Sequence, residues 1–516
     1  MKMNIKKLLF ALSVVFLSSC SKELDTEPKV ELSLANLLQK DPNAVKGLLS
    51  KMYGTFALSG SNGPGSSDIT GPDPGETAFL RGIINLQDLT ADAVKNRWGD
   101  DGLDQLTTTS GWSTNNKFFK YLYDRVYYTV PQANNLINAI NSANIPDKTV
   151  YVSELRFLRS LAYYYMIDCF GKGVLVTEAD GYSTTPKPQA SRIELFNYVE
   201  SELLAIENTL LDTNEYGRAN KSAARMLLAR LYLNAAVYTG TPRYNDALIY
   251  SKKVIDLGGY TLASNYVKNF SGDNNTSTEI IFPLIADPIA SQSYGNTTYL
   301  VNAGLNNATM PINSFGANQG WAGNRATKAW YSLFTGIVGS GNSDDRGQLF
   351  WTTGHNYEMT DYKTWTDGYP SIKFRNKNYS GTVTPTDFSG TDFPLFRLAD
   401  AYLMYAECVV RGATSGSSAQ ALIYVNNVRT RSNASLYTLT DLTLNNLLDE
   451  RARELNLEGV RRTDLIRFGK FTGGTYLWPW KGNTLNGTAI PATYNVFPIP
   501  ATALQSNPNL VQNPGY

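Results

Sequence analysis

Histidine is almost missing: His355 stands alone in 516 residues. Histidine is the side chain whose ordinary pKa lies nearest neutrality, so most acid–base and nucleophilic chemistry has no carrier here. A Ser-His-Asp triad would have to run through His355, and no Gly-x-Ser-x-Gly elbow accompanies it. His355 sits in a run rich in Gly, Asn and Tyr and reads as a surface loop residue. Cysteine is scarce too, with three residues. Zinc sites built from His and Cys are thereby almost excluded. Cys169 and Cys408 each lie in an apolar helical stretch. A disulfide between them cannot be read from sequence, and buried free thiols are the expectation. Charge of one sign is lacking: 46 Lys and Arg face 45 Asp and Glu, a net charge of +1. Such a chain has no basic stripe for nucleic acid. Long apolar runs are also absent, since a membrane span takes roughly 20 apolar residues.

What is present begins at the N-terminus. Lys2, Lys6 and Lys7 precede an apolar run over residues 8–16, followed by Leu17-Ser18-Ser19-Cys20. A basic start, a short apolar middle and small residues describe a secretory signal. The cysteine directly after them resembles the bacterial lipobox, in which the Cys20 thiol is acylated and becomes the new N-terminus. Multiple acyl chains, at roughly 0.8 kcal/mol per buried CH₂, would hold the mature chain on a membrane. Residues 1–19 are read as the signal peptide and 20–516 as a single domain. Loss of three lysines from a net charge of +1 leaves the mature chain at −2. The stretch Ser21-Lys22-Glu23-Leu24-Asp25 resembles the acidic tag that sends some lipoproteins to the outer face of the outer membrane.

Two helical regions flank a loop-rich middle. Residues 43–57 and 117–143 carry helical apolar spacing. In 153–170, Leu155, Leu158, Ala162, Tyr165 and Cys169 recur at three- or four-residue steps, and Gly171 stops the run. Ser191-Arg192-Ile193-Glu194 has the form of a capping box and opens a helix to about Leu211. Residues 221–238 and 244–257 resemble a tetratricopeptide unit, as do 398–410 and 418–431. Such pairs cannot bury their apolar faces alone and stack on neighbours. Residues 60–109 and 260–393 are thick with Gly, Asn, Ser, Thr, Asp, Tyr and Trp. Loop blocks of that length usually carry function. The fold expected is mainly α, a frame of tetratricopeptide-like pairs packed against a large irregular part.

Aromatic residues make up 12% of the chain, and Trp98, Trp112, Trp321, Trp330, Trp351, Trp365, Trp478 and Trp480 all fall outside the best helical repeats or at their edges. Flat rings in loops can pack against the C–H face of a sugar, while Asn, Asp and Arg bond its rim hydroxyls. Paired carboxylates offer an enzymatic alternative, since glycosidases hold two of them roughly 5–9.5 Å apart. Asp100-Asp101, Asp344-Asp345, Asp400 with Glu407, and Glu450 with Glu454 are the available pairs. Asp273-Asn274-Asn275 has oxygen ligands of the kind calcium takes, without the spacing or closing glutamate of a calcium loop. No cofactor is expected, calcium there being the alternative left open. Residues 450–468 interleave Glu, Asp and Arg at helical spacing and read as a structural ion-pair network rather than a phosphate site.

Taken together, these blocks resemble the SusD/RagB family of outer-membrane glycan-binding lipoproteins. The pieces that carry the resemblance are Glu154-Leu155-Arg156-Phe157-Leu158-Arg159, Tyr163-Tyr164, Pro394-Leu395-Phe396-Arg397-Leu398-Ala399, the run 450–467, and the ending Phe497-Pro498-Ile499-Pro500 to Gln512-Asn513-Pro514-Gly515-Tyr516. Further loop segments, Tyr294-Gly295, Gly320-Trp321 and Tyr476-Leu477-Trp478, resemble the family's starch-binding founder. The resemblance implies no catalysis. It implies an aromatic arc of Trp98, Tyr294 and Trp321 for α-1,4-glucan, starch or maltooligosaccharides, with a polar rim of Asp73, Arg81 and Asp100 or Asp101. It also implies an outer-membrane location, with the lipid on Cys20 as the sole membrane device, and a SusC-like TonB-dependent transporter as partner. The stretch 93–101 departs from the founder's pattern: one ring is missing and an acid replaces an asparagine. Three other readings stay open, namely a different polysaccharide, a secreted glycosidase, and a helical-repeat scaffold without sugar.

Overall fold

The computed structural model describes residues 33–181, 185–334 and 344–516. The signal segment and Cys20 lie outside the described residues. The frame consists of helices α1 (Ala44–Ala57), α2 (Lys117–Ser142), α3 (Lys148–Tyr165), α4 (Arg192–Ile206), α5 (Lys221–Leu233), α6 (Tyr244–Leu257), α7 (Leu398–Val410), α8 (Ser418–Arg431) and α9 (Leu444–Leu455). They pack in chain order from α2 to α6. Then α6 packs on α7 and α7 on α8, so the two tetratricopeptide-like pairs stack directly although residues 258–397 separate them in sequence. The apolar stripe of α3 explains its place: Leu155, Leu158, Leu161 and Ala162 are fully buried. Each such leucine contributes roughly 2 kcal/mol relative to exposure. The fold is mainly α.

Local chemistry sets several boundaries. The Ser191 hydroxyl accepts from the Glu194 N–H while the Glu194 carboxylate accepts from the Ser191 N–H, the reciprocal bonds of a capping box. Helix α3 runs on through one π turn, Met166–Phe170, and stops at Gly171, whose φ of 74° suits glycine. Other boundaries differ from the periodicity. Residues 221–238 do not form one helix. The chain breaks at Asn234, whose amide donates to the Arg230 carbonyl (2.9 Å) and accepts from Arg467 (2.9 Å). A distant arginine thus fixes a break that the unbroken apolar spacing hides. Helix α4 ends at Ile206, short of Leu211, and Glu207 turns instead to Arg225 and Lys253.

The two loop blocks are joined by pairing. Val94–Asn96 pairs antiparallel with Asn324–Ala326, in the register Val94↔Ala326 and Asn96↔Asn324. Ile280–Leu284 pairs with Phe393–Arg397, which leads into α7. The first block is less irregular than its composition indicates. Phe79–Ile84 is α-helical and continues as a π turn, Asn85–Leu89, all of it buried. Burial on every side erases the alternation by which a surface helix is read. Cys169 and Cys408 are buried free thiols.

The charged run 450–468 lies inside the protein. Glu454 pairs with Arg346, Arg397 and Arg431, and Glu450 with Arg346, Arg429 and Arg453. Arg397 also holds Glu279 and Glu458. Arg451 bridges Asp400 and Asp464, and Arg461 grips Asp92. Buried charges persist only when paired and hydrogen-bonded, and this seam ties α7, α8 and α9 to both loop blocks.

Candidate functional site

Trp98 follows the strand Val94–Asn96 directly. The Asn96 side chain accepts from the Trp98 N–H (2.7 Å) and donates to Asn324 (2.8 Å), so the pairing of the two blocks sets the turn. Gly323 lies against the ring. A Cβ there would stand 2.4 Å from the Trp98 ring carbon Cζ2, so only glycine leaves the indole room. The indole N–H donates to the Trp321 carbonyl (3.0 Å), and Lys363 holds the Trp98 carbonyl (3.1 Å).

Trp321 rides on a loop fastened to the end of the helix Thr297–Ala303. The N–H groups of Trp321, Ala322 and Gly323 donate to the carbonyls of Asn302, Leu305 and Ala303 at 2.7, 2.7 and 2.8 Å. Helix ends leave such carbonyls unpaired, and here the loop uses them. Tyr294 precedes the same helix, and its successor Gly295 accepts from the Arg81 N–H (3.0 Å).

These three rings form a row. Trp98 and Trp321 have centroids 6.4 Å apart at an interplanar angle of 54°. Trp321 and Tyr294 follow at 6.3 Å and 49°. Tyr294 then meets Phe388 at 4.9 Å and 50°. Trp98 and Trp321 are partly buried, and Tyr294 is 37% exposed. Phe388 was not among the residues anticipated. Its signal was the same as theirs, an aromatic in a Thr-, Asp- and Gly-rich loop.

Under the row lies Tyr299, 6.1 Å from Trp98. Its hydroxyl donates to Asn85 (2.9 Å) and accepts from Asn324 (3.2 Å). Arg81 was expected on the rim, but it is only 6% exposed, with its guanidinium 5.5 Å from the Trp98 ring and 4.9 Å from Tyr299. A cation against ring faces stiffens the floor of the row. Arg81 reaches Asp73 at 3.9 Å and Glu76 at 3.7 Å, and Lys117 reaches Glu76 at 2.7 Å. Burial pushes the Glu76 carboxyl above its ordinary pKa against the pull of Lys117 and Arg81. The Asp73 side chain is 53% exposed at the edge. Asp100 is half-buried and Asp101 exposed on the turn that follows Trp98. The remaining tryptophans serve elsewhere: Trp112 stacks on Tyr494 at 4.2 Å, Trp478, Trp330 and Trp365 are buried, Trp351 meets Phe315, and Trp480 meets Tyr362.

The other candidates are taken up by structure. Asp400 and Glu407 are buried against Arg230 and Arg451, and against Arg411 and Arg467. Glu450 and Glu454 sit in the seam, and Asp344 pairs with Arg346. None of these is free to act as a general acid. The Asn274 amide bonds the backbone of Asn269 and Asp392, while Asp273 accepts from the Tyr379 N–H (2.6 Å). Among the described residues no group of three or more His, Cys, Asp or Glu is placed to hold a metal. His355 is not a free surface residue. Its Nδ1 lies 2.9 Å from the Gly368 carbonyl, its ring packs edge-on against Trp365, and burial lowers its pKa.

Residues 339–516 match the SusD family model. The chain is 33% identical to the starch-binding protein SusD of Bacteroides thetaiotaomicron, over 99% of each chain. Its fold is shared by surface glycan-binding protein A of Bacteroides thetaiotaomicron, solved in complex with laminarihexaose. There the TM-score is 0.70 at 20% identity, covering 91% of this chain and 99% of that one. A SusD-like carbohydrate-binding protein of Bacteroides fragilis gives a TM-score of 0.72 at 18% identity, covering 92% and 100%. A relative this similar over its whole length settles the kinship, and the chain belongs to the SusD family.

Proposed function

We propose that this chain is a non-catalytic, cell-surface binding protein for α-1,4-glucan, starch and maltooligosaccharides. One observation carries the reading: the rings of Trp98, Trp321 and Tyr294 stand 6.3–6.4 Å apart, each turned by 49–54° from the next. A flat glucan ribbon asks for coplanar rings, whereas an α-1,4 chain curves and offers its C–H faces at successive tilts. Aromatic side chains have few torsions, so a row of them binds at low entropy cost. Asp73, Asp100 and Asp101 at the edge supply acceptors for rim hydroxyls, and Arg81 braces the rings from below. The name of the 33%-identical relative, a starch-binding protein, agrees with this ligand. The proposal includes a lipid anchor at Cys20, an outer-membrane position facing the exterior, and delivery to a SusC-like TonB-dependent transporter, a reading supported by the family resemblance.

Calorimetry tests the ligand. Maltoheptaose and cyclic α-glucans should bind the mature protein, and laminarihexaose, β-1,4-glucan, mannan and fructan should bind more weakly or not at all. Each ring contributes on the order of 1 kcal/mol beyond its area, so a Trp321→Ala, Tyr294→Ala double variant should lose well over tenfold in affinity. No new reducing ends should appear on incubation with starch. Normal binding by the double variant would show the row to be misplaced. Binding confined to another glycan would move the ligand assignment to that glycan, and turnover would revive the glycosidase reading.

A further inference from the structure

The segments that end the aromatic row also build the wall of a cavity. Tyr294 and Phe388 sit on residues 287–294 and 386–390. Asp287, Pro288, Thr386 and Gly390 of the same segments line an open basin of about 440 Å³, which Tyr216 and Asn378 also line. That volume lies within the usual range of ligand pockets, roughly 300–1,000 Å³.

The basin is held rigidly. Asn376 donates to Thr386 (2.7 Å) and accepts from the Gly390 N–H (2.7 Å), while Thr386 donates to the Phe388 carbonyl (2.6 Å). Tyr216 is fastened at its tip, where the hydroxyl donates to the buried Asp392 carboxylate (2.7 Å). Asp392 in turn accepts from the Ala286 N–H (2.8 Å). The Tyr216 residue stays 46% exposed, so a fixed ring presents itself to solvent. Beside it, the side-chain amides of Asn275 and Asn378 line the basin with no protein hydrogen-bond partner among the described residues. A fixed ring flanked by amides suits the C–H face of a sugar and its rim hydroxyls.

The geometry points to a second sugar subsite, in which a long glucan chain passes from Tyr294 over Phe388 and places a further unit on Tyr216, bonded by Asn275 and Asn378. This inference rests on the glucan reading of the main row. It predicts a gain in affinity with chain length that shorter ligands cannot reach.

The test is titration of maltotriose and a long amylose fraction against the wild type, Tyr216→Ala and Tyr216→Phe. Loss of one stacking ring in Tyr216→Ala should weaken amylose about fivefold and leave maltotriose within about twofold. Tyr216→Phe keeps the ring and loses only the bond to Asp392, so it should bind both like the wild type. The subsite is overturned by amylose binding unchanged in Tyr216→Ala, by equal losses for both lengths, or by equal losses in Tyr216→Ala and Tyr216→Phe. A wild type that binds neither glucan removes the main-row reading as well.

Discussion

Gly323 shows how a single absent carbon shapes the site. Its backbone is in no strained region; what it supplies is space, because a Cβ would fall 2.4 Å from the Trp98 ring. Gly323→Ala should push the indole out of line and break its bond to the Trp321 carbonyl. A tenfold loss of glucan affinity, about 1.4 kcal/mol, is expected, along with a shift in tryptophan fluorescence. Overpacking a site of this kind costs roughly 1–3 kcal/mol, so the fold should survive with a lower melting temperature. Wild-type affinity in this variant would mean that the Trp98 orientation is immaterial. The glycine is plain in the sequence, but nothing local marks it as the neighbour of a tryptophan in the other loop block.

Among the elements, α7 shows how buried charge is held on a helix. Asp400 and Glu407 are fully buried on it. Desolvation alone would raise their pKa values. The guanidiniums of Arg230 and Arg451 overrule it at Asp400, and those of Arg467 and Arg411 at Glu407, holding each at about 2. A folded pKa below the unfolded value means stability that is complete above the ordinary carboxylate range and is lost as pH falls toward 2. Together the two groups contribute on the order of a few kcal/mol. Thermal melts should therefore drop between pH 5 and 2, a window set by roughly 4 unfolded and about 2 folded. Asp400→Asn removes one partner of two buried arginines and should cost about 3–5 kcal/mol at neutral pH, with a shallower acid slope below. An unaltered slope would assign acid unfolding to other groups. Asp88 works in the opposite sense: burial pushes it up to about 7 despite the N–H groups of Leu457 and Gly459, so its contribution fades as pH rises.

At the scale of the whole molecule, the frame returns on itself. The pair α5–α6 stacks on α7–α8 across the loop block that carries Tyr294, Trp321 and Phe388, so that block is closed at both ends by the frame. Among the described residues no helix is long and apolar enough to cross a membrane. The proposed attachment is a lipid on Cys20. Cys20→Ala should move the protein from membrane to soluble fractions, and the unaltered chain should be protease-accessible on intact cells. Affinity purification from membranes should bring down a large β-barrel. Membrane retention of Cys20→Ala would overturn the anchor, and soluble partners in place of a barrel would favour the scaffold reading.

The chain's own pattern determined whatever depends on near neighbours. Apolar spacing placed α3, the Ser191 box opened α4, Gly171 ended the π turn, and the interleaved charges of 450–468 foretold an ion-pair seam. The first three arise from interactions within a turn or two of helix, so composition and period are enough to find them; the charges foretold pairing, but their partners, such as Arg346 and Arg397 for Glu454, come from distant segments. Composition and period leave open which of eight tryptophans share a surface; the resemblance named Trp98 and Trp321, and the physical cause is the pairing of Val94–Asn96 with Asn324–Ala326, strands more than 200 residues apart. Tertiary structure alone decided that Arg81 lies beneath the rings, that Arg467 breaks the helical run at Asn234, and that Phe388 joins the row. Each of these rests on a contact between distant segments, and local periodicity carries no record of which distant segment arrives.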